Sequence, residues 1–216
     1  MTEGTVFLFL VFIFIFSAVL HEVFHGLAAD ALGDPTPRLA GRITFNPLAH
    51  MDPIGSFLVP LFCIMMAKLT GGFIIFGWAK PVPINPLNFK NPKYDQAKVA
   101  FAGPLANFLL AFFCGILIRF FIKFLPSFEG FVLFLAFTLW INLILAFFNL
   151  LPIPPLDGSH ILFTFWRPSD EVMFFLHQYG FLLLLFFLFF GFDLLLKVVV
   201  FFFKILAGAS PGVFFR

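Results

Sequence analysis

The chain has 216 residues, of which 62% are hydrophobic and 11% are charged, and it carries a formal net charge of +2. A soluble domain is about 45–50% apolar and about 25% charged, so this composition excludes an ordinary soluble domain and indicates an integral membrane protein. The net charge is too small to suggest a nucleic-acid-binding protein. The two cysteines, Cys63 and Cys114, lie in apolar stretches and are typical of buried small side chains, not of a disulfide framework.

The first apolar stretch contains a short polar motif, HEVFH at residues 21–25. The stretch predicts a helix from about residue 5 to about residue 32, which at ~1.5 Å per residue is long enough to cross a ~30 Å hydrocarbon core. In such a helix His21 and His25 lie one turn apart on the same face, so both imidazoles can bind one metal ion. Glu22 projects from a neighbouring position and can act as a base instead of a ligand. Two nitrogen ligands, a general base and an open coordination position are the arrangement of zinc hydrolases.

The chain after this helix predicts two less regular structures. Residues 54–72 are apolar but are bracketed and interrupted by prolines and glycines, which permits a re-entrant segment. Residues 73–83, FIIFGWAKPVP, are aromatic and β-prone, and their two prolines would suit only an edge strand. An ordinary re-entrant loop packed on the helices is the alternative for the same residues. The centre of the predicted strand consists of Gly77, Trp78, Ala79 and Lys80.

The rest of the chain is predicted to be helical. The predicted helices cover residues 96–125, 130–150, a short stretch ending near 165, and two apolar stretches from 169 onward that divide near 191–193. The fold class is therefore mostly α, a polytopic membrane protein with about five transmembrane helices, a re-entrant segment and a small membrane-associated β element. We expect a single domain over residues 1–216, with a catalytic core at about 5–165 and C-terminal helices at about 169–207.

A second motif, NLLPIPPLDG at residues 149–158, follows the predicted helix 130–150. Three closely spaced prolines cannot continue a helix, and irregular backbone at membrane depth is tolerated only against protein or a wet cavity. Asp157 lies just past this break and would supply the third ligand that two histidines lack, leaving a fourth position for water. Two alternatives remain open: Asp157 could merely cap the next helix, or His160, one turn beyond, could be the third ligand.

These two motifs, with AGPLAN at residues 102–107 between them, resemble the site-2 proteases, which are intramembrane zinc metalloproteases. The similarity covers roughly residues 17–165 and is greatest to the compact bacterial subgroup without a PDZ domain. It implies that one Zn²⁺ per chain is bound by His21, His25 and Asp157, with Glu22 as the base. It also implies single-pass membrane proteins as substrates, often already trimmed by an upstream site-1-type protease, and a place in the bacterial inner (plasma) membrane.

Six further residues are candidates for substrate binding. Asn107 and Asn149 are polar side chains on apolar helices, where they could hydrogen-bond between helices or hold the substrate backbone. An unwound substrate could pair with the predicted edge strand, whose central residues are Gly77, Trp78, Ala79 and Lys80. A zinc transporter and a catalytically silent membrane scaffold are the competing functions. A transporter would not need Glu22 or an open zinc position, and a silent scaffold would have lost the base or a ligand.

The basic residues predict the orientation of the chain in the membrane. The predicted helices 96–125 and 130–150 cross the membrane twice between the two motifs. They bring Asp157 back to the membrane depth of the histidines only if residues 54–72 do not span the membrane fully. Six basic residues would then lie on one face, which the positive-inside rule makes cytoplasmic, so the active site should face the cytoplasmic side. They are Arg38, Arg42, Lys80, Lys90, Lys93 and Lys98. Arg119 and Lys123, at the opposite end, argue mildly against this orientation.

Overall fold

A computed structural model describes residues 3–52, 55, 80–125, 127–166 and 168–215, with side chains from residue 8 onward. The described part is mostly helical and contains no strand. Its α-helices are α1 (Glu3–Ala31), α2 (Thr36–Leu39), α3 (Pro92–Phe124), α4 (Glu129–Asn149), α5 (Asp157–Phe165), α6 (Asp170–Phe190), α7 (Phe192–Ala207) and α8 (Pro211–Phe214). Two short 3₁₀ helices, Pro47–His50 and Pro86–Asn88, lie between α2 and α3.

Four of these helices are long and apolar enough to cross a membrane. They cover Leu8–Ala31, Pro92–Phe124, Glu129–Asn149 and Asp170–Phe190. The prediction of a mostly helical fold is therefore confirmed. The predicted number of about five transmembrane helices is not, since four helices of the described residues meet these criteria. Helix α7 has 16 residues and would extend about 24 Å, which is shorter than a ~30 Å hydrocarbon core.

Helix α3 lies at the centre of the bundle and packs against α1, α4, α5 and α7. Its core with α4 and α7 is built from fully buried apolar side chains such as Ile118, Leu139 and Phe203. Small residues allow the helices to approach closely where they cross. At Gly115 a Cβ atom would lie 2.7 Å from Cβ of Leu206 on α7. A larger side chain there would push these two helices apart.

The end of α1 is joined to the start of α3 by a buried carboxylate. Asp34, which is 0% exposed, accepts hydrogen bonds from the backbone N–H of Asn85 (2.7 Å) and from Nδ2 of Asn88 (2.7 Å). Since α3 begins at Pro92, the C-terminal end of α1 and the N-terminal end of α3 lie at the same end of the bundle. The two helices therefore run antiparallel.

The predicted boundaries differ from the structure mainly at helix starts. Helix α3 begins four residues before the predicted start, because Pro92 takes the first helical position, where the missing N–H of proline costs nothing. The division of the C-terminal helices near 191–193 is confirmed by Gly191, which separates α6 from α7.

The predicted β element is not confirmed. Its described end, residues 80–83, is not in a strand. The Lys80 N–H donates to the carbonyl of His50 (2.8 Å), and the Val82 N–H donates to a side chain of α1. Residues 73–79 of that prediction, and the predicted re-entrant segment 54–72 apart from Gly55, lie outside the described residues.

The antiparallel arrangement of α1 and α3 generates a topology prediction. Cysteines introduced at Arg38 and Lys90 should react with a membrane-impermeant maleimide from the same side of the membrane, and a cysteine at Ser127 from the other side. The measurement uses sealed vesicles of both orientations and a background in which Cys63 and Cys114 are replaced. Labelling of positions 38 and 90 from opposite sides would contradict the antiparallel pair.

Candidate metal centre

Helix α1 presents His21 and His25 to the interior of the bundle. The four-residue spacing places both imidazoles on one helix face, and their ring centroids are 4.6 Å apart. The two residues are only 7% and 6% exposed, because α3 packs across this face of α1. Two imidazoles with so little exposure are costly in an apolar bundle unless their nitrogens have partners.

Asp157 reaches the two histidines from the first turn of α5. Its Oδ2 lies 3.0 Å from Nε2 of His21 and 3.3 Å from Nε2 of His25, and the two Nε2 atoms are 2.9 Å apart. Among the described residues, these three form the group whose potential ligand atoms all lie within 4.8 Å of one another. The capping alternative for Asp157 is not seen, since Leu156 occupies the N-cap of α5 and no side chain caps it there.

The hydrogen bonds of the two Nδ1 atoms show that neither Nε2 atom carries a proton. Nδ1 of His25 lies 2.7 Å from the carbonyl of Val99, which can only accept, so this Nδ1 donates. Nδ1 of His21 donates in the same way to Oδ1 of Asn107 (2.7 Å). In a neutral imidazole the second nitrogen then carries only a lone pair. Both Nε2 lone pairs therefore face each other and the Asp157 carboxylate.

This arrangement of atoms fits a zinc ion. Three electron-pair donors cannot lie 2.9–3.3 Å apart in a buried site without a proton or a cation between them. Ligands at ~2.0–2.1 Å around a tetrahedral zinc ion are separated from one another by about 3.3 Å, close to the observed spacing. Two imidazoles and one carboxylate are also a ligand set of catalytic zinc sites, with the fourth position open.

Gly103 on α3 gives the site its space. A Cβ atom at this position would lie 2.5 Å from Nε2 of His25 and 2.6 Å from Nε2 of His21, distances that real Cβ atoms do not show. The backbone of α3 therefore closes one side of the site directly, and any side chain at position 103 would occupy the place where the donor atoms meet.

A buried polar network lies behind His21. Asn107, which is 0% exposed, uses its Nδ2 to donate to Oδ1 of Asn142 (2.7 Å) and to the carbonyl of Ser17 (3.2 Å). Asn142 donates in turn to Oγ of Ser17 and to the carbonyl of Thr138, both at 2.8 Å. These bonds fix the orientation of the Asn107 amide, so its oxygen faces His21. Hydrogen bonds of this kind orient the imidazoles that bind a metal ion.

A cavity of about 400 Å³ opens beside the three donor residues. Glu22 lies in its wall, on α1, and its Oε2 accepts a hydrogen bond from the backbone N–H of Val82 (3.0 Å). The cavity thus brings a carboxylate that is not among the three donors next to them, with room for a peptide segment.

The remaining candidate residues differ in whether they line the cavity. Asn149 lines the cavity, and its Nδ2 donates to the carbonyl of Leu145 in its own helix (2.9 Å). His160 also lines the cavity, but its Nδ1 is 3.5 Å from Nε2 of Gln96 and it does not belong to the donor group. Asn107 makes hydrogen bonds between helices, which is one of the two roles that the sequence left open for it. Lys80 is exposed, and Gly77, Trp78 and Ala79 lie outside the described residues.

Some residues around the site were missed by sequence reasoning. Ser17 and Asn142 are polar residues on apolar helices, lying four residues before His21 and seven before Asn149. This spacing places each on the same helix face as a candidate residue, so a search for polar positions on that face would have found them. Nothing in the sequence marks the carbonyl of Val99, because any residue supplies a backbone acceptor.

The fold and the site together define a protein built from membrane-length helices, with an HExxH motif and a distant aspartate around one candidate metal position. Comparison with known proteins gives the family. The sequence profile of peptidase family M50 matches residues 9–127 and 125–187, so the chain belongs to this family. It is an integral membrane protein, and zinc is its cofactor.

Curated relatives carry names of the same kind. "Putative zinc metalloprotease YwhC" of Bacillus subtilis is 37% identical over 188 residues, which cover 82% of this chain and 78% of that protein. "Putative zinc metalloprotease Rip2" of Mycolicibacterium smegmatis is 30% identical over 77% of this chain and 60% of its own length. "Putative zinc metalloprotease MJ0611" of Methanocaldococcus jannaschii is 45% identical over 34% of this chain and 36% of its own length. No solved structure matches the chain significantly.

The three donor residues generate a prediction about zinc content. Purified protein should contain one zinc ion per chain, and His21→Ala or Asp157→Ala should remove most of it because each deletes a donor. Glu22→Gln should retain full zinc, since Glu22 lies outside the donor group. Elemental analysis of detergent-purified protein measures this, and full occupancy in Asp157→Ala would remove Asp157 from the ligand set.

A second prediction concerns Gly103. Gly103→Ala should abolish zinc binding although it adds one methyl group, because that group would fill the space between the two Nε2 atoms. Gly130→Ala is the matched control, since a Cβ atom at position 130 meets nothing within 4 Å. Equal zinc content in the two variants would show that α3 lies farther from the histidines than this geometry requires.

Proposed function

We propose that the protein is an intramembrane zinc metalloprotease that hydrolyses peptide bonds in or near the transmembrane segments of single-pass membrane proteins. One observation supports this most directly. The donor atoms of His21, His25 and Asp157 converge at a cavity that also contains Glu22, and both histidines lie within the membrane-length part of α1. A metal site with an adjacent free carboxylate and an open side is suited to hydrolysis.

Several groups of the chain have separate roles in the reaction. Zinc, when bound, lowers the pKa of water and polarises a carbonyl group. Glu22 accepts the proton of the attacking water and delivers it to the leaving amine. Val99 and Asn107 keep the Nδ1 protons of the two histidines in place, so that each Nε2 lone pair faces the metal position. Asp157 contributes a negative charge that balances part of the charge of the ion.

The substrate must be extended when it reaches this site. A transmembrane helix hides its amide groups in intrahelical hydrogen bonds, so at least one turn has to unwind before water can attack. The cavity of about 400 Å³ has room for a short extended segment, and Asn149 in its wall is our candidate for binding the substrate backbone. Lys80 would need to release the bond of its N–H to His50 before that group could pair with a substrate backbone.

The membrane setting proposed here follows from the charges and the helices. Arg38, Lys90, Lys93 and Lys98 belong to the end of the bundle where α1 ends and α3 begins, which the positive-inside rule makes cytoplasmic. We place the chain in a bacterial inner membrane, with α7 as a fifth, short crossing. An upstream site-1-type protease would trim the substrate first.

Two other functions fit the site less well. A zinc transporter needs a path through several polar positions across the membrane, and here the polar residues gather around one metal position beside a base. A catalytically silent scaffold would not need to retain both the ligands and Glu22. The combination of donor group, Glu22 and cavity therefore favours the protease.

Proteolysis itself gives the decisive prediction. When single-pass reporter proteins with varied transmembrane segments are co-expressed with the protein, wild type should yield a product cut within the membrane segment. Glu22→Gln should yield none, at full zinc content, because it removes the base. Glu129→Gln, an exposed carboxylate at the start of α4, is the control and should cleave like wild type. Cleavage by the Glu22→Gln variant, measured by immunoblot and mass spectrometry, would refute this role for Glu22.

A further inference from the structure

Residues 80–85, here called the strap, pass beside the base Glu22. The Val82 N–H donates to Oε2 of Glu22 at 3.0 Å. Pro81 and Pro83 have no N–H group, so within residues 81–83 the backbone offers this one donor, and it is used on Glu22. The second oxygen of the carboxylate, Oε1, is not part of this bond.

The strap is fixed at both ends. At one end, the Lys80 N–H donates to the carbonyl of His50 (2.8 Å). At the other end, the Asn85 N–H donates to Oδ2 of Asp34 (2.7 Å). Asp34 is fully buried, and its Oδ1 accepts from Asn88 Nδ2 (2.7 Å) and from both the N–H (3.1 Å) and the hydroxyl (2.5 Å) of Thr36. A carboxylate bonded in this way cannot turn without breaking several hydrogen bonds.

The middle of the strap is packed onto α1. Val82 is only 7% exposed, and its Cγ1 would lie 3.7 Å from a Cβ atom built at Gly26. Gly26 follows Glu22 by one helical turn, so both lie on the same face of α1. The strap therefore runs along the face that carries the base.

We propose that the strap positions Glu22 for proton transfer, and that Asp34 is a positioning residue that acts on Glu22 through Asn85 and Val82. The inference rests on the proposed role of Glu22 as the general base. A glutamate side chain has three rotatable bonds, and a fixed donor on Oε2 selects the rotamer that leaves Oε1 free to accept a proton. A base that is misplaced by about 1 Å can lose about 100-fold in rate.

Amide hydrogen exchange tests whether Asp34 holds the strap in place, and it needs no proteolysis. Residues 81–85 contain three exchangeable amides, at Val82, Ile84 and Asn85. Asp34→Ala should speed exchange at both Val82 and Asn85, whereas Glu22→Ala should speed exchange at Val82 alone. Asp30→Ala, whose carboxylate pairs with Arg38 on the surface (3.4 Å), is the control and should change none of the three. Unchanged exchange at Val82 in Asp34→Ala would overturn the connection between Asp34 and the base.

A pair of variants at position 82 tests whether the Val82 N–H positions Glu22 for proton transfer. Val82→Pro removes the N–H donor, and the position should tolerate proline because a residue before proline already favours extended backbone. Val82→Ala keeps the N–H and removes most of the side chain. With a reporter that wild type cleaves, we expect kcat of Val82→Pro to be about 10–100-fold below that of Val82→Ala, with KM and zinc content alike in both.

Three results would overturn the proposal. Equal kcat values in the two variants would show that the Val82 N–H does not position the base. A higher kcat in Val82→Pro would show that the strap obstructs Glu22. A loss of zinc in Val82→Pro alone would show that the strap supports the fold of the metal centre and not the base. If wild type cleaves no reporter, the proposed function fails, and the exchange measurement still decides whether Asp34 holds the strap.

Discussion

Three electron-pair donors face one another at the centre of the bundle, and the rest of the structure depends on that arrangement. Nε2 of His21, Nε2 of His25 and Oδ2 of Asp157 lie 2.9–3.3 Å apart in an apolar bundle, where their mutual repulsion is weakly screened. A cation at their centre turns this repulsion into attraction. A bound metal ion would therefore stabilise the meeting of α1, α3 and α5 at this point.

Hydrogen bonds around the site satisfy the buried polar groups that do not face the metal position. Asn107, Asn142 and Ser17 form a closed network in which the side-chain amides of both asparagines find partners on α1 and α4. A buried network of this kind is costly when one member lacks a partner and rigid when all have one. Helix α4 contributes no metal ligand, yet through Asn142 it helps to fix the orientation of His21.

The sequence predicted those parts of the site that depend on local spacing. His21 and His25 follow from a four-residue interval in a helix, and Asp157 follows from a proline-rich break in an apolar chain. The partners of Asn107 could not be predicted, since Ser17 and Asn142 are separated from it by 90 and 35 residues and no local pattern encodes such distances. The strap was missed for another reason: its contact with Glu22 is made by a backbone N–H, which leaves no residue type to recognise. The β-prone composition of residues 73–83 was misleading at its end because strand formation depends on a neighbouring partner, and Lys80 and Val82 donate to other groups.

The position of α3 between the two helices that carry the donor residues links metal binding to helix association. Helix α3 holds both imidazoles in place through Val99 and Asn107 and packs against α5, which carries Asp157, so the three donors converge in this way only when α1, α3 and α5 are in contact. A ligand that binds only the assembled state stabilises it by about 2.7 kcal/mol when its free concentration is 100 times its dissociation constant. The zinc supply of the cell thus contributes directly to how firmly these helices hold together in the bilayer, quite apart from any chemistry the ion performs.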